Sequence, residues 1–138
     1  MKSLSKLSKN EKGQSMVEFA LVFPILILLV LGIIQFGIIF SAQISLTHAA
    51  REGARAASVG TSEIDVKNRV INAIEGHSTL NLVAANISVT FPANIGEEVR
   101  VDVTDAVINL IVPVPDVFVP GNIINIDAKA SMRLEKKP

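Results

Sequence analysis

Residues 13–40 read GQSMVEFALVFPILILLVLGIIQFGIIF, and this stretch decides the architecture. From Phe19 to Phe40 the apolar run is interrupted only by Pro24, Gly32, Gln35 and Gly37, and no Asp, Glu, Lys or Arg lies between Glu18 and Arg51. A helix of that length, rising about 1.5 Å per residue, reaches roughly 33 Å and can cross a hydrocarbon core of about 30 Å. The core helix of a soluble protein would carry charges on its outer face, so the pattern predicts a transmembrane segment over 19–40. Glu18 stands at its mouth. An acid at the edge of hydrocarbon is costly to leave unpaired, and that cost asks for a function.

The flanks orient the span. Met1 to Gly13 carries Lys2, Lys6, Lys9 and Lys12 against Glu11, a net charge of three positive, whereas Arg51 and Arg55 beyond the run are opposed by Glu52. The positive excess places the N-terminus in the cytoplasm and the bulk of the chain outside. A cleaved secretory signal has a shorter apolar core and a small-x-small cleavage site. Here Phe40-Ser41-Ala42 puts a bulky side chain where a small one is needed, so the segment is expected to stay with the mature protein.

Of 138 residues, 49 % are hydrophobic, and much of that excess lies in the span. About 80 residues remain after Ala57, a size at which one core is marginal without packing against the long helix or a sister subunit. With no cysteine, the chain has no disulfide framework, thiolate metal site or thiol nucleophile. Residues 51–138 sum to a net charge of minus two with no basic stripe, which argues against nucleic-acid binding.

The pattern divides into a helical half and a strand half. The first helix is expected from Gln14 to Ala57, with a bend or loosened turn at Pro24, whose ring removes a backbone donor. In HAAREGARAA, Ala49 with Gly53, Ala50 with Ala54, and Gly53 with Ala57 are each four apart and line up small side chains. This strip either simply extends a stable helix or serves as a flat docking face for the domain or a second subunit. A second helix fits Ser62 to Glu75, capped by Thr61 or Ser62, closed by Gly76, and presenting Ile64, Val70, Ile71 and Ile74 as its apolar face.

Period-two alternation follows at NISVTF (86–91), EVRVDVT (98–104) and Ile124 to Glu135, with Pro92 to Glu97 as a turn. These predict an antiparallel sheet of three to four strands with one wet face. VINLIVPVPDVFVPGN, residues 107–122, carries Pro113, Pro115 and Pro120 and is not a continuous central strand. It either crosses the core as a loop or exposes Val117, Phe118 and Val119 to a partner or the membrane surface. The fold class is thus α+β: a long N-terminal helix that continues outside the membrane, a short helix and a small sheet. Its parts are a basic leader (1–13), the long helix (14–57) and an extracytoplasmic domain (58–138).

GQSMVEFALVFPILILLVLGIIQFG, HAAREGARAA and the final alternating strand ending in SMRLE together resemble the TadE-like minor pilins, or pseudopilins, of the tight-adherence (Flp) pilus system. The N-terminal part carries most of that resemblance: a glycine, four residues, then Glu and Phe at the head of an apolar helix. It implies removal of the leader by a prepilin peptidase between Gly13 and Gln14, making Glu18 the fifth residue of the mature chain. It implies an assembly role for Glu18 and Phe19, partnership with other pilins and the assembly platform in a hetero-oligomer, and a place in the inner membrane or in the extracellular pilus. Physics adds a reason for Glu18: cleavage creates a positive amine on Gln14, which the Glu18 carboxylate of a neighbouring subunit can pair in low dielectric. Polar Gln14 departs from the aromatic terminus of better-known pilins, which leaves N-methylation in doubt. The ectodomain is also far larger than the tiny major subunit of this system, which favours a minor or priming role.

A different class of protein, an uncleaved membrane-anchored envelope or ligand-binding domain, shares the span but requires the leader to persist. An anchored enzyme finds little support. His48 and His77 lie in no metal or nucleophile spacing, Asp102 and Asp105 read as solvated acids at a strand edge, and no catalytic group, metal or cofactor is expected.

Overall fold

A computed structural model describes residues 11–74, 80–82, 86–110 and 119–138. Helix α1 spans Glu11–Ser58 and α2 Glu63–Ile74; strands β1 (Leu80–Asn81), β2 (Ile87–Thr90), β3 (Glu98–Asn109) and β4 (Ile123–Arg133) follow, with a 3-10 turn at Pro120–Asn122 before β4. Two compact units result, one up to Phe36 and one from Gly37 onward. The fold is α+β, as the alternation of periods implies.

In the second unit, Ala42, Leu46, Ala49, Ala50, Ala54 and Ala57 recur at three- and four-residue steps and are fully buried, so one stripe of α1 faces the core. Gly60 ends the helix with φ +82. Its N–H donates to Ala57 O at 3.1 Å and that of Thr61 to Ala56 O at 3.3 Å, the paired bonds of a Schellman cap. A Cβ on Gly60 would lie 2.6 Å from Lys137 O, so the close pass of the C-terminal chain requires glycine as well. Helix α2 starts at the Ser62 cap: Asp65 N–H donates to Ser62 Oγ at 3.3 Å, and Ser62 Oγ–H donates to Asp65 Oδ2 at 2.8 Å. Val66, Val70 and Ile74 form its buried face. The sequence expectation for this face needs correction at one position: Ile64 is 72 % exposed, because a stripe repeating every four residues from Val66 turns Ile64 to solvent. Glu75 and Gly76 lie outside the described residues.

All strand pairs are antiparallel to β3. β2 pairs over Ile87–Thr90 and β1 at Leu80↔Ile108 and Asn81↔Val107. β4 pairs with β3 along nearly its whole length. Since β4 takes one edge of β3 throughout, β1 and β2 share the other edge end to end, and the four strands make a sheet three ranks wide.

Between the pairs Val103↔Ala128 and Ala106↔Ile126, two residues of β3 oppose one of β4. This bulge switches the parity of the strand. Val99, Val101 and Val103 face the core before it, and Ala106 and Ile108 after it, all fully buried. Asp105 occupies the bulge at φ +54, and its N–H donates to Asp127 Oδ1 at 2.9 Å. Of the stretch 107–122, Val107 to Asn109 complete β3, and Leu110 N–H donates to Asn122 O at 2.9 Å, while residues 111–118 lie outside the described residues. Val117 and Phe118 lie outside the described residues. An Asp127→Ala chain, having lost the acceptor that pins the bulge, is expected to be less stable by about 1–2 kcal/mol. A lowered denaturation midpoint of the detergent-solubilised protein checks it.

Candidate functional site

The N-terminal turns of α1 hold the residues singled out from sequence. Gly13 and Gln14 lie inside the helix and are exposed, so the bond between them is on the surface of the first turns. Helical spacing places Glu18 one turn above Gln14, and Gln14 Nε2–H donates to Glu18 Oε1 at 3.1 Å. The Phe19 and Phe23 rings stack on the following turn with centroids 5.1 Å apart. Pro24 sits within the helix, which continues on both sides of it.

From Met16 to Phe40, seventeen large apolar side chains are exposed. At about 1–2 kcal/mol each, leaving them in water costs on the order of 20–30 kcal/mol, well above the 5–15 kcal/mol that stabilises a typical domain. Such a surface requires lipid or partner helices. α1 is long and apolar enough to cross a membrane, and none of its most apolar window is buried.

Further along the same helix, the small-residue strip lies in the core of the second unit. A Cβ on Gly53 would stand 2.5 Å from Val70 Cγ2, 3.5 Å from Val101 Cγ1 and 3.6 Å from Val66 Cγ1. The backbone of α1 therefore passes against α2 and β3 at a distance that only a hydrogen side chain permits. Ala49, Ala50, Ala54 and Ala57 share that buried stripe.

His48 is exposed on the outer side of α1, and His77 lies outside the described residues. Asp105 is committed to the bulge through its backbone, while Asp102 faces away from the core in register with Ser88 and Lys129. Among the described residues, no three His, Asp or Glu side chains converge to hold a metal ion. Sequence reasoning missed the role of Asp127 in the bulge. No local signal reveals it, because its partner is 22 residues away.

The structure thus defines a class: an α+β protein with one helix fit to cross a membrane, an acid near the start of that helix, and a small sheet domain packed on its far end. Residues 13–55 match the model of the TadE-like protein family, which links the chain to the Tad pilus system and to a pilus-associated structural family. That match begins at Gly13, includes Glu18 and the whole apolar run, and ends at Arg55. No curated protein and no solved structure matches the chain.

Proposed function

We propose that this chain is a pseudopilin or minor pilin that acts in assembly or initiation of a tight-adherence pilus for surface adhesion. The observation that carries the reading is the TadE-like match over 13–55, a stretch that holds a glycine and an acid ahead of an unburied, membrane-length apolar run. In this reading the protein is anchored in the cytoplasmic membrane with its lysine-rich end inside and its α+β domain outside. A prepilin peptidase cuts between Gly13 and Gln14. Glycine suits the site because it lets the enzyme approach the backbone closely and is about 1 kcal/mol easier than alanine to unwind from a helix end.

Cleavage leaves a positive amine on Gln14, beside an acid already directed toward that turn by the Gln14–Glu18 hydrogen bond. A subunit displaced along the fibre axis offers its Glu18 to its neighbour's amine, and the pair sets the subunit register. Phe19 packs beside the acid, and Pro24 lets the helix adjust inside a bundle of other pilins.

Mass analysis of the protein extracted from its native membrane tests this. The expected chain starts at Gln14. A chain that still starts at Met1 overturns the reading and leaves an uncleaved envelope anchor in its place.

A further inference from the structure

We propose that Gln14, once it heads the mature chain, is a site of intramolecular ring closure to pyroglutamate, and that Glu18 of the same chain holds this closure back. The inference rests on cleavage between Gly13 and Gln14 and concerns the fate of the terminus so made.

Glutamine at a free terminus carries its own electrophile. Its side chain has the length that lets the α-amine reach the amide carbon Cδ and close an unstrained lactam ring, and an attack within one residue needs no encounter. In the uncut chain this reaction is shut off, because the Gln14 nitrogen is a peptide nitrogen whose lone pair is delocalised into the Gly13 carbonyl. Cleavage turns it into an amine. The lone pair then forms a bond to Cδ, the Cδ–Nε2 bond breaks, and ammonia leaves with the proton that the amine gives up. Nothing is oxidised or reduced, and no further reactant is consumed.

The product has no basic nitrogen. Its terminus carries no positive charge, and the Glu18 carboxylate of a neighbouring subunit finds nothing there to pair with. Attack of an amine on an amide is slow without an enzyme, so closure claims chains that wait, trimmed, in the membrane rather than chains that assemble at once.

The first turns of α1 contain what opposes the reaction. Gln14 and Glu18 are both exposed there, and Gln14 Nε2–H donates to Glu18 Oε1 at 3.1 Å. Nε2 is the atom that must leave as ammonia, so the leaving group itself is tethered to the following turn. Closure requires the amide to swing over its own backbone nitrogen, which breaks that bond. A hydrogen bond donated to a carboxylate also polarises the amide toward higher electron density and makes Cδ a poorer target. In addition, a carboxylate one helical turn from the amine favours the ammonium form, which has no lone pair to attack with. The bond from Gln14 engages Oε1, and a carboxylate has a second oxygen, so Glu18 can guard its own terminus and still accept a neighbour's amine.

The test follows the terminus in time. Full-length wild-type, Glu18→Ala, Glu18→Gln and Gln14→Ala chains are extracted from the native membrane into detergent and held in neutral buffer over several days. The mass of the N-terminal fragment and its labelling by an amine reagent are sampled throughout. Closure removes one ammonia from that fragment and abolishes its labelling. Glu18→Ala is expected to close at least about twofold faster than wild type, the factor that a hydrogen-bonded pair at this helical spacing is worth. Glu18→Gln keeps an acceptor for Nε2 but no charge and is expected to fall between them, and Gln14→Ala, with no side-chain amide at the terminus, is expected to lose no ammonia. Equal rates in wild type and Glu18→Ala, or an ammonia loss that persists in Gln14→Ala, would overturn this inference while a start at Gln14 leaves the cleavage reading standing. A wild-type chain that still starts at Met1 would overturn both.

Discussion

A Glu18→Ala chain is expected to lose its leader normally and yet to support at most a few per cent of wild-type piliation. The argument concerns what the substitution leaves behind. In the assembled fibre, the amine freed on Gln14 would lie among apolar helices, and removing the carboxylate leaves that charge buried without a partner. Breaking a buried pair in this way costs about 3–5 kcal/mol, which is roughly a hundredfold to several thousandfold in each subunit contact. In the proposed reading the peptidase, by contrast, would act on the exposed turn at Gly13 and Gln14, and the Glu18 side chain is one helical turn away from it. Glu18→Gln preserves size and hydrogen bonding but not charge, so it separates the ionic contribution from packing. The readouts are the mass of the membrane-extracted chain and the amount of pilus protein sheared from cells. Wild-type piliation by a correctly trimmed Glu18→Ala chain would remove the proposed role of the acid.

A Gly53→Leu chain is expected to lose its folded ectodomain. The first atom of any side chain there would fall 2.5 Å from Val70 Cγ2, and the remaining atoms of leucine have only Val66 and Val101 to displace. Overpacking of this kind costs about 1–3 kcal/mol where a core can adjust, and more where the clash lies between two helices and a sheet. Against a stability of about 5–10 kcal/mol for a domain of this size, the loss exposes the sheet to proteolysis. Gly53→Ala gains up to about 1 kcal/mol of helix propensity, which offsets part of the same clash, so a smaller loss is expected. Gly37→Ala is the control, because a Cβ at Gly37 meets nothing within 4 Å. Limited proteolysis of the three chains in detergent micelles would rank them. Equal resistance of Gly53→Leu and Gly37→Ala would refute the close packing described at Gly53.

The two glycines show which part of the architecture was legible. Gly37 and Gly53 are both helical glycines, and the small residues spaced four apart around Gly53 left open whether it extends a helix or docks one. One meets three valines drawn from α2 and β3, and the other meets open space. The apolar helical face of α2 was readable as a period, but its exact facing was not: Ile64 and Val66 fit an amphipathic pattern about equally, and burial of Val66 is decided by the sheet beneath it. Alternation made β4 readable, and it made β3 readable only as far as Thr104. There the bulge inverts the parity, and a pattern that requires strict period two stops where the strand does not. β1 is two residues long, too short to show any period at all.

The candidate site divides along the same line. Gly13, Gln14 and Glu18 lie within two helical turns, and their relation, including the Gln14–Glu18 hydrogen bond, follows from spacing along one element. The packing of β4 on the later part of α1 depends on a contact across 84 residues, from Gln43 to Asp127, and has no local signature.

By itself, then, the sequence determined what depends on neighbours along the chain: a helix from the leader into the domain, the length of its apolar part, the acid at its mouth, and the alternating strands. Those follow from helix rise, from the two side-chain periods and from the cost of placing charge in hydrocarbon. Only the tertiary structure decided the rank order of the strands, the bulge held by Asp127, the buried role of Gly53 and the packing of β4 on the later part of α1. Each of these depends on which distant residues come to touch, and contact between residues remote in the chain is selected by the packing of the whole core rather than by any single segment.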